Sequence, residues 1–403
     1  MSPLYRLLGL ELRRRGCPVS RINLSFGDWL HWHGQGCYSY RGSRAKWRGY
    51  LQRVIREQRI TTLVLHGDCR WYHRQAIDVA RALDLEVIVT ELGALRPGWL
   101  TLEWGGLSLN SFFPASAEQI CVQAQGLDAP AGQRFDYPFW KMALYDVSYN
   151  LLNYFLCFLY PFFRRHTPHN PVIEYLSWIP RLGSEQRRNA AAQQLSRRLA
   201  AEHTDYFLFP LQLNGDFQIR VHSPFHSLHQ AIDLVLHSFA RCAPAVSRLV
   251  LKQHPLDCGL DGLQQYARAV AARLGISERL DYIDGGDLGE LLRHTRGVVT
   301  VNSTVGIEAL QAGKPVKVLG GAFYDMAKIT SQDSLDNFWS APTAPQPDCV
   351  DALLRLLVQQ TQVPGALYGA AGLQSAVDNM AAAILARPYT PLSALGTPPR
   401  QAY

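Results

Sequence analysis

YFLFPLQLNGDFQIRVHSP, residues 206–224, begins as an apolar run and ends in a polar loop. A short apolar run that is rich in aromatic residues and bounded by a turn predicts a strand buried on both faces of a sheet. The Asn-Gly-Asp that follows predicts a turn, and Pro224 suits the first turn of a helix. A buried strand that leads through a polar loop into a helix is the repeating unit of an α/β fold.

The same pattern recurs on both sides of residues 206–224. Short aliphatic runs predict further strands at residues 62–66, 86–90, 248–252, 297–301 and 316–319. Helical spacing of apolar residues predicts helices between them, at residues 72–83, 225–241, 260–274 and 303–312. Because this alternation occurs twice, we expect an α/β protein with two Rossmann-like parallel-sheet domains that face an interdomain cleft.

The 403 residues divide into four predicted segments. We expect Rossmann-like domains at residues 1–135 and 204–390, joined by a helical, aromatic and basic region at residues 136–203, and a loose Pro-rich tail at residues 391–403. Within the connecting region, NLLNYFLCFLYPFF is too short to cross a bilayer and is broken by Pro161. It is either a core helix or a surface that enters the lipid headgroup layer.

Composition narrows the classes of protein that remain. Apolar residues make up 47% and charged residues 18% of the chain, which excludes a disordered chain or a coiled coil. The net charge of +7 favours anionic partners, including phospholipids, without selecting one. The eight cysteines are scattered and no signal peptide is evident, so we expect reduced thiols in the cytoplasm.

Polar residues follow three of the predicted strands in the second half. They are Asp216 after the first, His254 after the second, and Asn302, Ser303 and Thr304 after the third. Open α/β sheets bind ligands at such strand ends, and a helix N-terminus with hydroxyl side chains suits a phosphate. Each residue alone has a structural alternative: Asp216 as a turn former, His254 as a structural histidine, and Ser303 or Thr304 as a helix cap.

Strand ends in the first half also carry polar groups. His66, Asp68 and Arg70 follow one strand, and Glu91, Arg96 and Glu103 follow the next within a few residues. The sequence contains no GxGxxG, no GxxxxGK[ST], no DxD and no HExxH motif. Dinucleotide, P-loop and metal chemistry therefore have no support in the sequence, and we expect neither a metal nor another cofactor.

Several long motifs resemble the capsule polysaccharide biosynthesis proteins of the KpsS/LipB type. In the second half they are PLQLNGDFQIRVHSPF (210–225), KQHP (252–255) and VTVNSTVGIEALQAGKPVKVLGGAFYD (299–325). In the first half they are GDWLHW (27–32), HGDCRWYHRQAI (66–77) and ELGALRPGWLTLEWGGLSLNS (91–111). Because the motifs occur in the same order over about residues 5–340, the resemblance is specific.

This resemblance implies a retaining, metal-independent β-Kdo transferase of GT-B type. Such an enzyme moves Kdo (3-deoxy-D-manno-oct-2-ulosonic acid) from CMP-Kdo to phosphatidylglycerol or lyso-phosphatidylglycerol, which starts the glycolipid linker of a capsule. The implied location is the cytoplasmic face of the inner membrane, as a peripheral protein. The implied partners are a KpsC-type transferase and the capsule ABC exporter, and no nucleic acid.

The resemblance also implies roles for individual residues. Asp216 is the expected carboxylate at the anomeric carbon, His254 contacts the leaving phosphate, and Asp68 is the expected general base. The remaining residues expected at the nucleotide are Lys252, Asn302, Ser303, Thr304 and Glu308. Those expected at the acceptor or at Kdo are His66, Arg70, Glu91, Arg96, Glu103, Gln212 and Arg220.

Two other functions are compatible with the same motifs. One is a GT-B transferase that uses a different nucleotide sugar, such as CMP-sialic acid or a nucleoside-diphosphate sugar. The other is a non-catalytic factor that escorts polysaccharide to the exporter.

Overall fold

The computed structural model describes residues 2–165 and 169–400. The strands are β1 Arg21–Asn23, β2 Cys37–Ser39, β3 Thr62–His66, β4 Glu86–Leu92, β5 Trp99–Trp104, β6 Tyr206–Pro210, β7 Arg248–Lys252, β8 Leu280–Ile283, β9 Gly297–Thr300, β10 Val316–Val318 and β11 Gln362–Pro364. Within the described ranges, every helix is too short or too polar to cross a bilayer.

The helices lie between these strands along the chain. They are α1 Leu4–Arg14, α2 Phe26–His31, α3 Trp47–Glu57, α4 Trp71–Ala82, α5 Ala117–Gln123, α6 Phe139–Phe155, α7 Pro171–Gly183, α8 Glu185–Ala201, α9 Phe217–Val221, α10 Leu228–Cys242, α11 Leu263–Arg273, α12 Leu288–His294, α13 Val305–Gln311, α14 Leu335–Phe338, α15 Pro347–Gln360, α16 Ala370–Ala386 and α17 Leu392–Leu395.

The chain forms two compact units. Unit 1 contains residues up to 112, 130–173 and 357–398, and unit 2 contains residues 113–129, 174–356 and those from 399 onward. The predicted connecting region, 136–203, is therefore divided between the units at residue 173. The boundaries also differ at the C-terminal end, where the chain returns from unit 2 to unit 1 before α16.

Unit 2 is built on a five-stranded sheet in the order β10-β9-β6-β7-β8, and every neighbouring pair is parallel. The strands are apolar because both faces are covered. On one face α10 and α11 pack into a fully buried core that includes Phe207, Leu249 and Val299. This matches the prediction of a parallel α/β domain.

Unit 1 contains a four-stranded sheet in the order β11-β5-β4-β3. β3 and β4 are parallel, whereas β5 and β11 are added in antiparallel fashion. The antiparallel turn follows from the short connection 93–98, because parallel strands need a crossover of a dozen or more residues. Alternate residues of β4 fill opposite cores, with Val87 and Val89 packing beside α3 and α4 and Ile88 beside α1 and α16.

The C-terminal segment is packed against the protein, which corrects the prediction of a loose tail. Leu392 is 8% exposed, belongs to the core beside α4, and donates its amide to the Leu85 carbonyl at 3.2 Å. Arg400 donates to the carbonyl oxygens of Phe113 and Phe323, each at 2.6 Å. An apolar anchor and charge-assisted hydrogen bonds hold the segment despite its prolines. Residues 401–403 of the predicted tail lie outside the described residues.

Candidate functional site

In the sheet of unit 2, the direction in which successive strands are added reverses at β6. From β6 the chain adds β7 and β8 on one side, and it then crosses back to add β9 and β10 on the other. Because the strands are parallel, their carboxyl ends lie along one edge. In open α/β sheets, ligands bind in the crevice outside the carboxyl ends at such a reversal. The carboxyl ends of β6 and β9 therefore mark the candidate site.

The three predicted loops meet at this edge. Residues 211–216 follow β6, residues 253–255 follow β7, and residues 301–304 follow β9. The three strands are direct neighbours in the order β9-β6-β7, and neighbouring strands are about 4.8 Å apart. The structure thus places the Asn-Gly-Asp, His-Pro and Asn-Ser-Thr motifs side by side.

A buried pair of amides joins the loops on either side of the reversal. Gln212 and Asn302 are 6% and 9% exposed, and Nε2 of Gln212 donates to Oδ1 of Asn302 at 3.0 Å. Nδ2 of Asn302 donates to the carbonyl oxygens of Gln218 at 2.8 Å and His222 at 3.2 Å. A satisfied buried network of this kind holds its members in one geometry. Gln212 is thus a member of this network, and its contact with a substrate stays a prediction.

Tyr324 supports the start of α13. Its hydroxyl donates to the Ser303 carbonyl at 2.5 Å, and its ring lies so close to Gly306 that a Cβ there would collide with the phenol oxygen. Oγ of Ser303 accepts from the Val305 amide at 3.2 Å, which is the capping alternative for this residue. This hydrogen bond uses a lone pair of the Ser303 oxygen, so the hydroxyl hydrogen of Ser303 can still be donated to a ligand oxygen. Thr304 and Glu308 belong to the first turn of the same helix.

Asp216 begins α9 at the edge of the candidate site. Its Oδ1 accepts from the Gln218 amide at 2.9 Å, so it caps that short helix. Asn214 fixes the turn before it, because its side chain donates to Asp261 at 3.0 Å and accepts from the Leu228 amide at 2.9 Å. Asp216 thus lies in a well-fixed turn beside the reversal, and its role as nucleophile stays a prediction. Arg220 is exposed on α9.

His254 and Lys252 lie at the end of β7 and point to different neighbours. Nδ1 of His254 accepts from the Leu256 amide at 3.0 Å, so a neutral ring carries its hydrogen on Nε2. Lys252 is 7% exposed and donates to the Gly285 carbonyl at 2.6 Å, beyond β8. Burial lowers the pKa of Lys252, although the negative charges of two nearby aspartates act to raise it. The sequence predicted that Lys252 supports a phosphate, whereas the structure gives it a bond on the side away from the reversal.

In unit 1, His66 ends β3 beside Tyr5 and Thr90. The Thr90 hydroxyl donates to the Leu65 carbonyl at 3.1 Å, so Tyr5 donates to Thr90 at 2.6 Å and accepts from Nδ1 of His66 at 2.6 Å. Burial, with a smaller contribution from the Arg70 charge, lowers the pKa of His66 to about 3. His66 is therefore a neutral ring with its lone pair on Nε2.

Asp68 holds a loop together, which differs from the predicted general base. It is 3% exposed, and its Oδ2 accepts from the Leu107 amide and from Nδ2 of Asn110, both at 3.0 Å. The Cys69 thiol donates to its other oxygen at 3.1 Å. Glu103 is likewise buried and accepts from the Ser111 hydroxyl at 2.5 Å. Both carboxylates thus connect the strand ends to residues 107–111 of the same unit.

Arg70 and Glu91 are two further residues predicted at this edge. Burial raises the pKa of Glu91, and the positive charge of Arg70 opposes that change. The Glu91 carboxylate lies near Gly67, where the left-handed backbone (φ +71) lets the chain turn out of β3. Arg96 is exposed and donates to the Gly93 carbonyl at 3.2 Å.

Two residues with clear positions in these clusters, Tyr5 and Tyr324, were not predicted from the sequence. Tyr5 carried no signal, because its partner His66 is 61 residues away in the chain. His73 follows the same predicted strand as His66 and lies seven residues later in the same motif. Its Nδ1 donates to the Gly67 carbonyl at 2.7 Å, and burial lowers the pKa of His73 to about 4.

Comparison with known proteins agrees with the sequence resemblance. The family model described as capsule polysaccharide biosynthesis protein matches residues 61–368. The capsule polysaccharide export protein KpsS of Escherichia coli is 29% identical over 91% of this chain and 95% of its own length. The capsule polysaccharide modification protein LipB of Neisseria meningitidis serogroup A is 32% identical over 79% of this chain and 77% of its own length.

Among solved structures, the β-Kdo 2,7 transferase part of KpsC from Thermosulfurimonas dismutans covers 87% of this chain and 93% of its own. Its TM-score is 0.44 at 14% identity. The family model spans both predicted groups of strand-end residues, from before His66 to beyond Tyr324. On this match and on the likeness to KpsS and LipB, the chain belongs to the capsule polysaccharide biosynthesis protein family.

Proposed function

We propose that this protein is a retaining β-Kdo transferase that moves Kdo from CMP-Kdo to phosphatidylglycerol or lyso-phosphatidylglycerol. The family supports a step in capsule polysaccharide biosynthesis. The observation that carries the proposal is the sheet edge of unit 2, where loops with a carboxylate, an imidazole and a hydroxyl follow three adjacent strands. The proposed location is the cytoplasmic face of the inner membrane, beside a KpsC-type transferase and the capsule ABC exporter.

The donor fits the chemistry of this edge. The phosphate of CMP needs hydrogen-bond donors as the C2–O bond to Kdo breaks and negative charge grows on the leaving oxygen. Nε2–H of His254 and the hydroxyl hydrogens of Ser303 and Thr304 are such donors. These groups stabilise the leaving phosphate without a divalent ion, so the proposed reaction is metal-independent.

Retention follows from two displacements at the same carbon. The Asp216 carboxylate attacks C2 of Kdo as CMP leaves, and a hydroxyl of the lipid glycerol then attacks C2 and releases the carboxylate. A base takes the proton of that hydroxyl in the second step.

The test is incubation with CMP-Kdo and a fluorescent phosphatidylglycerol analogue, followed by mass analysis of lipid and protein. We expect a lipid heavier by one Kdo, and an Asp216→Asn variant that binds CMP as the wild type does but transfers no Kdo. Asp261→Asn is the matched control, because Asp261 contacts the same turn through Asn214. A properly folded Asp216→Asn protein with full activity would remove Asp216 from the mechanism.

Nucleotide selectivity separates the other functions. Stabilisation by CMP and not by UDP or GDP in a thermal-shift panel excludes nucleoside-diphosphate sugars. Turnover of CMP-sialic acid in place of CMP-Kdo would mean that the protein transfers a different sugar from the same nucleotide site. Polysaccharide binding without turnover of any CMP-sugar would identify a non-catalytic export factor.

A further inference from the structure

Helix α6 of unit 1 has its polar side inward and its apolar side outward. Asn153 is 5% exposed and accepts from the Gly27 amide at 2.7 Å, while the Tyr149 hydroxyl accepts from Ser25 at 3.3 Å. Tyr145 packs its ring 5.3 Å from that of His31. Tyr145, Tyr149 and Asn153 are four residues apart, so one face of α6 meets α2 through polar and aromatic groups.

The opposite face is apolar and open to solvent. Trp140, Leu144 and Phe155 are 63%, 60% and 61% exposed. With the half-buried Val147 and Leu151 they follow a spacing of three and four residues, so the five side chains form one stripe along the helix. A helix of a water-soluble unit normally turns such a stripe toward its core. An exposed stripe of this size marks a surface that binds a partner.

The apolar surface continues beyond the end of α6. Phe158, in a short 3₁₀ helix at Cys157–Leu159, is 68% exposed, and Phe162, in the loop that follows, is 50% exposed. We call these two residues together with Trp140, Leu144, Val147, Leu151 and Phe155 the outer face of α6. Because the outer face runs over a helix and a Pro-containing loop, it does not have the single straight seam that a coiled-coil partner requires.

Basic residues border the outer face at both ends. Nζ of Lys141 lies 5.4 Å from the Trp140 ring centroid. At the other end, Arg164 and Arg165 come directly after Phe162 and Phe163, and the exposed Arg41 lies 5.2 Å from the Tyr160 ring centroid. Between residues 137 and 165, Asp146 is the single acidic residue. Aromatic groups flanked by lysine and arginine are typical of surfaces at the level of anionic lipid headgroups.

We propose that the outer face of α6 docks the protein on a bilayer that contains anionic phospholipid. The apolar side chains enter the boundary between headgroups and acyl chains, and Lys141, Arg164 and Arg41 contact lipid phosphates. Docking of this kind holds the protein on one leaflet without a membrane-spanning helix. The inference rests on α6 alone and holds whichever sugar the protein transfers.

The test is flotation with vesicles of phosphatidylcholine alone and of phosphatidylcholine mixed with phosphatidylserine. Phosphatidylserine supplies negative charge and is not the proposed acceptor. We expect binding to the mixed vesicles to weaken about tenfold or more when Trp140, Leu144 and Phe155 are all changed to serine, because each loses buried apolar area. The matched control changes Val122, Val246 and Leu385, which are exposed elsewhere, to serine.

A second variant tests the charges. In Lys141→Gln/Arg164→Gln we expect binding to lose most of its dependence on phosphatidylserine and on salt. Wild-type vesicle binding by the triple serine variant would overturn the proposal. So would a dimer, seen by light scattering, that the same variant converts to a monomer, because the face would then bind a second copy.

Turnover with a water-soluble short-chain acceptor separates this proposal from the proposed function. The triple serine variant is expected to keep that turnover while it loses vesicle binding. If neither wild type nor variant turns over CMP-Kdo, the proposed reaction fails, and the flotation result still decides the docking surface.

Discussion

Asn302→Ala tests whether the two loops at the reversal of the unit 2 sheet form one rigid structure. The substitution removes the hydrogen bond from Gln212 at 3.0 Å and the two donated to the Gln218 and His222 carbonyl oxygens at 2.8 and 3.2 Å. At about 1 kcal/mol for each of three buried hydrogen bonds, we expect the free energy of unfolding to fall by about 3 kcal/mol.

Urea denaturation measures this loss, and calorimetric titration with CMP measures its effect on the site. In the variant only the backbone amide of residue 302, which donates to Oε1 of Gln212 at 3.4 Å, still joins the loop after β6 to the loop after β9. Because the loops are held less firmly, we expect the affinity for CMP to fall about tenfold or more, equivalent to about 1.4 kcal/mol. Gln374→Ala is the matched control, since that exposed amide donates only one helical turn along, to Asp378 at 3.0 Å. We expect the control to change stability by about 0.5 kcal/mol or less. Asn302→Ala with unchanged stability and unchanged CMP affinity would refute the reasoning.

Three further predictions concern the two strand edges. Asp68→Asn replaces a carboxylate that accepts from three donors, so we expect a loss of about 1.5–3 kcal/mol in urea denaturation; unchanged stability would show that the loop does not depend on this group. Burial lowers the pKa of His66 to about 3 and that of His73 to about 4 in the folded protein. As the pH falls below about 6.5, these two histidines therefore take up protons in the unfolded chain before they do so in the folded protein. Stability is therefore expected to fall between pH 6.5 and pH 4, and the double variant His66→Gln/His73→Gln to flatten that profile; an equally steep profile in the variant would contradict the assignment. Gly306→Ala places a methyl group against Tyr324, and we expect it to lower the free energy of unfolding by about 1–3 kcal/mol and to weaken CMP binding. Tyr324→Phe is expected to lower the free energy of unfolding, measured by thermal unfolding, by about 1 kcal/mol. Unchanged stability of Gly306→Ala would show that α13 can shift freely.

The strands were largely predictable because their residues are uniformly apolar. The predicted strands at 62–66 and 248–252 have the same bounds as β3 and β7, and the apolar run 206–213, predicted as one strand, extends three residues beyond the end of β6. β1, β2, β5, β8 and β11 were not predicted. β8 reads LDYI, in which a charged residue interrupts the apolar run, and β11 has only three residues.

The order of the strands within each sheet could not be predicted from the sequence pattern. Whether β9 is added beside β8 or returns to β6 depends on which pairing buries more apolar surface, and the local residues do not encode that choice. The motifs at the strand ends were predictable, since their polar residues follow apolar runs. Their supports were not: Asn302 is held by Gln212 across 90 residues, and Tyr324 reaches Ser303 from a loop with no distinctive pattern.

The boundary of the units was also unpredictable for a physical reason. Residues 357–398 return to unit 1, where Val363 and Met380 pack with Leu4 and Ile88 in one core. Contacts between residues this far apart in the chain leave no periodic signal in either segment. Composition at the C-terminal end indicated a loose tail, while the buried Leu392 and the hydrogen bonds of Arg400 hold it in place.

A crystal structure of the protein with CMP, grown without divalent ions, tests the central claim most directly. The account predicts the CMP phosphate at the carboxyl ends of β6 and β9, within hydrogen-bond distance of Nε2 of His254 and of Ser303 or Thr304. CMP bound at another edge of the molecule, or bound only when a divalent ion is added, would contradict it.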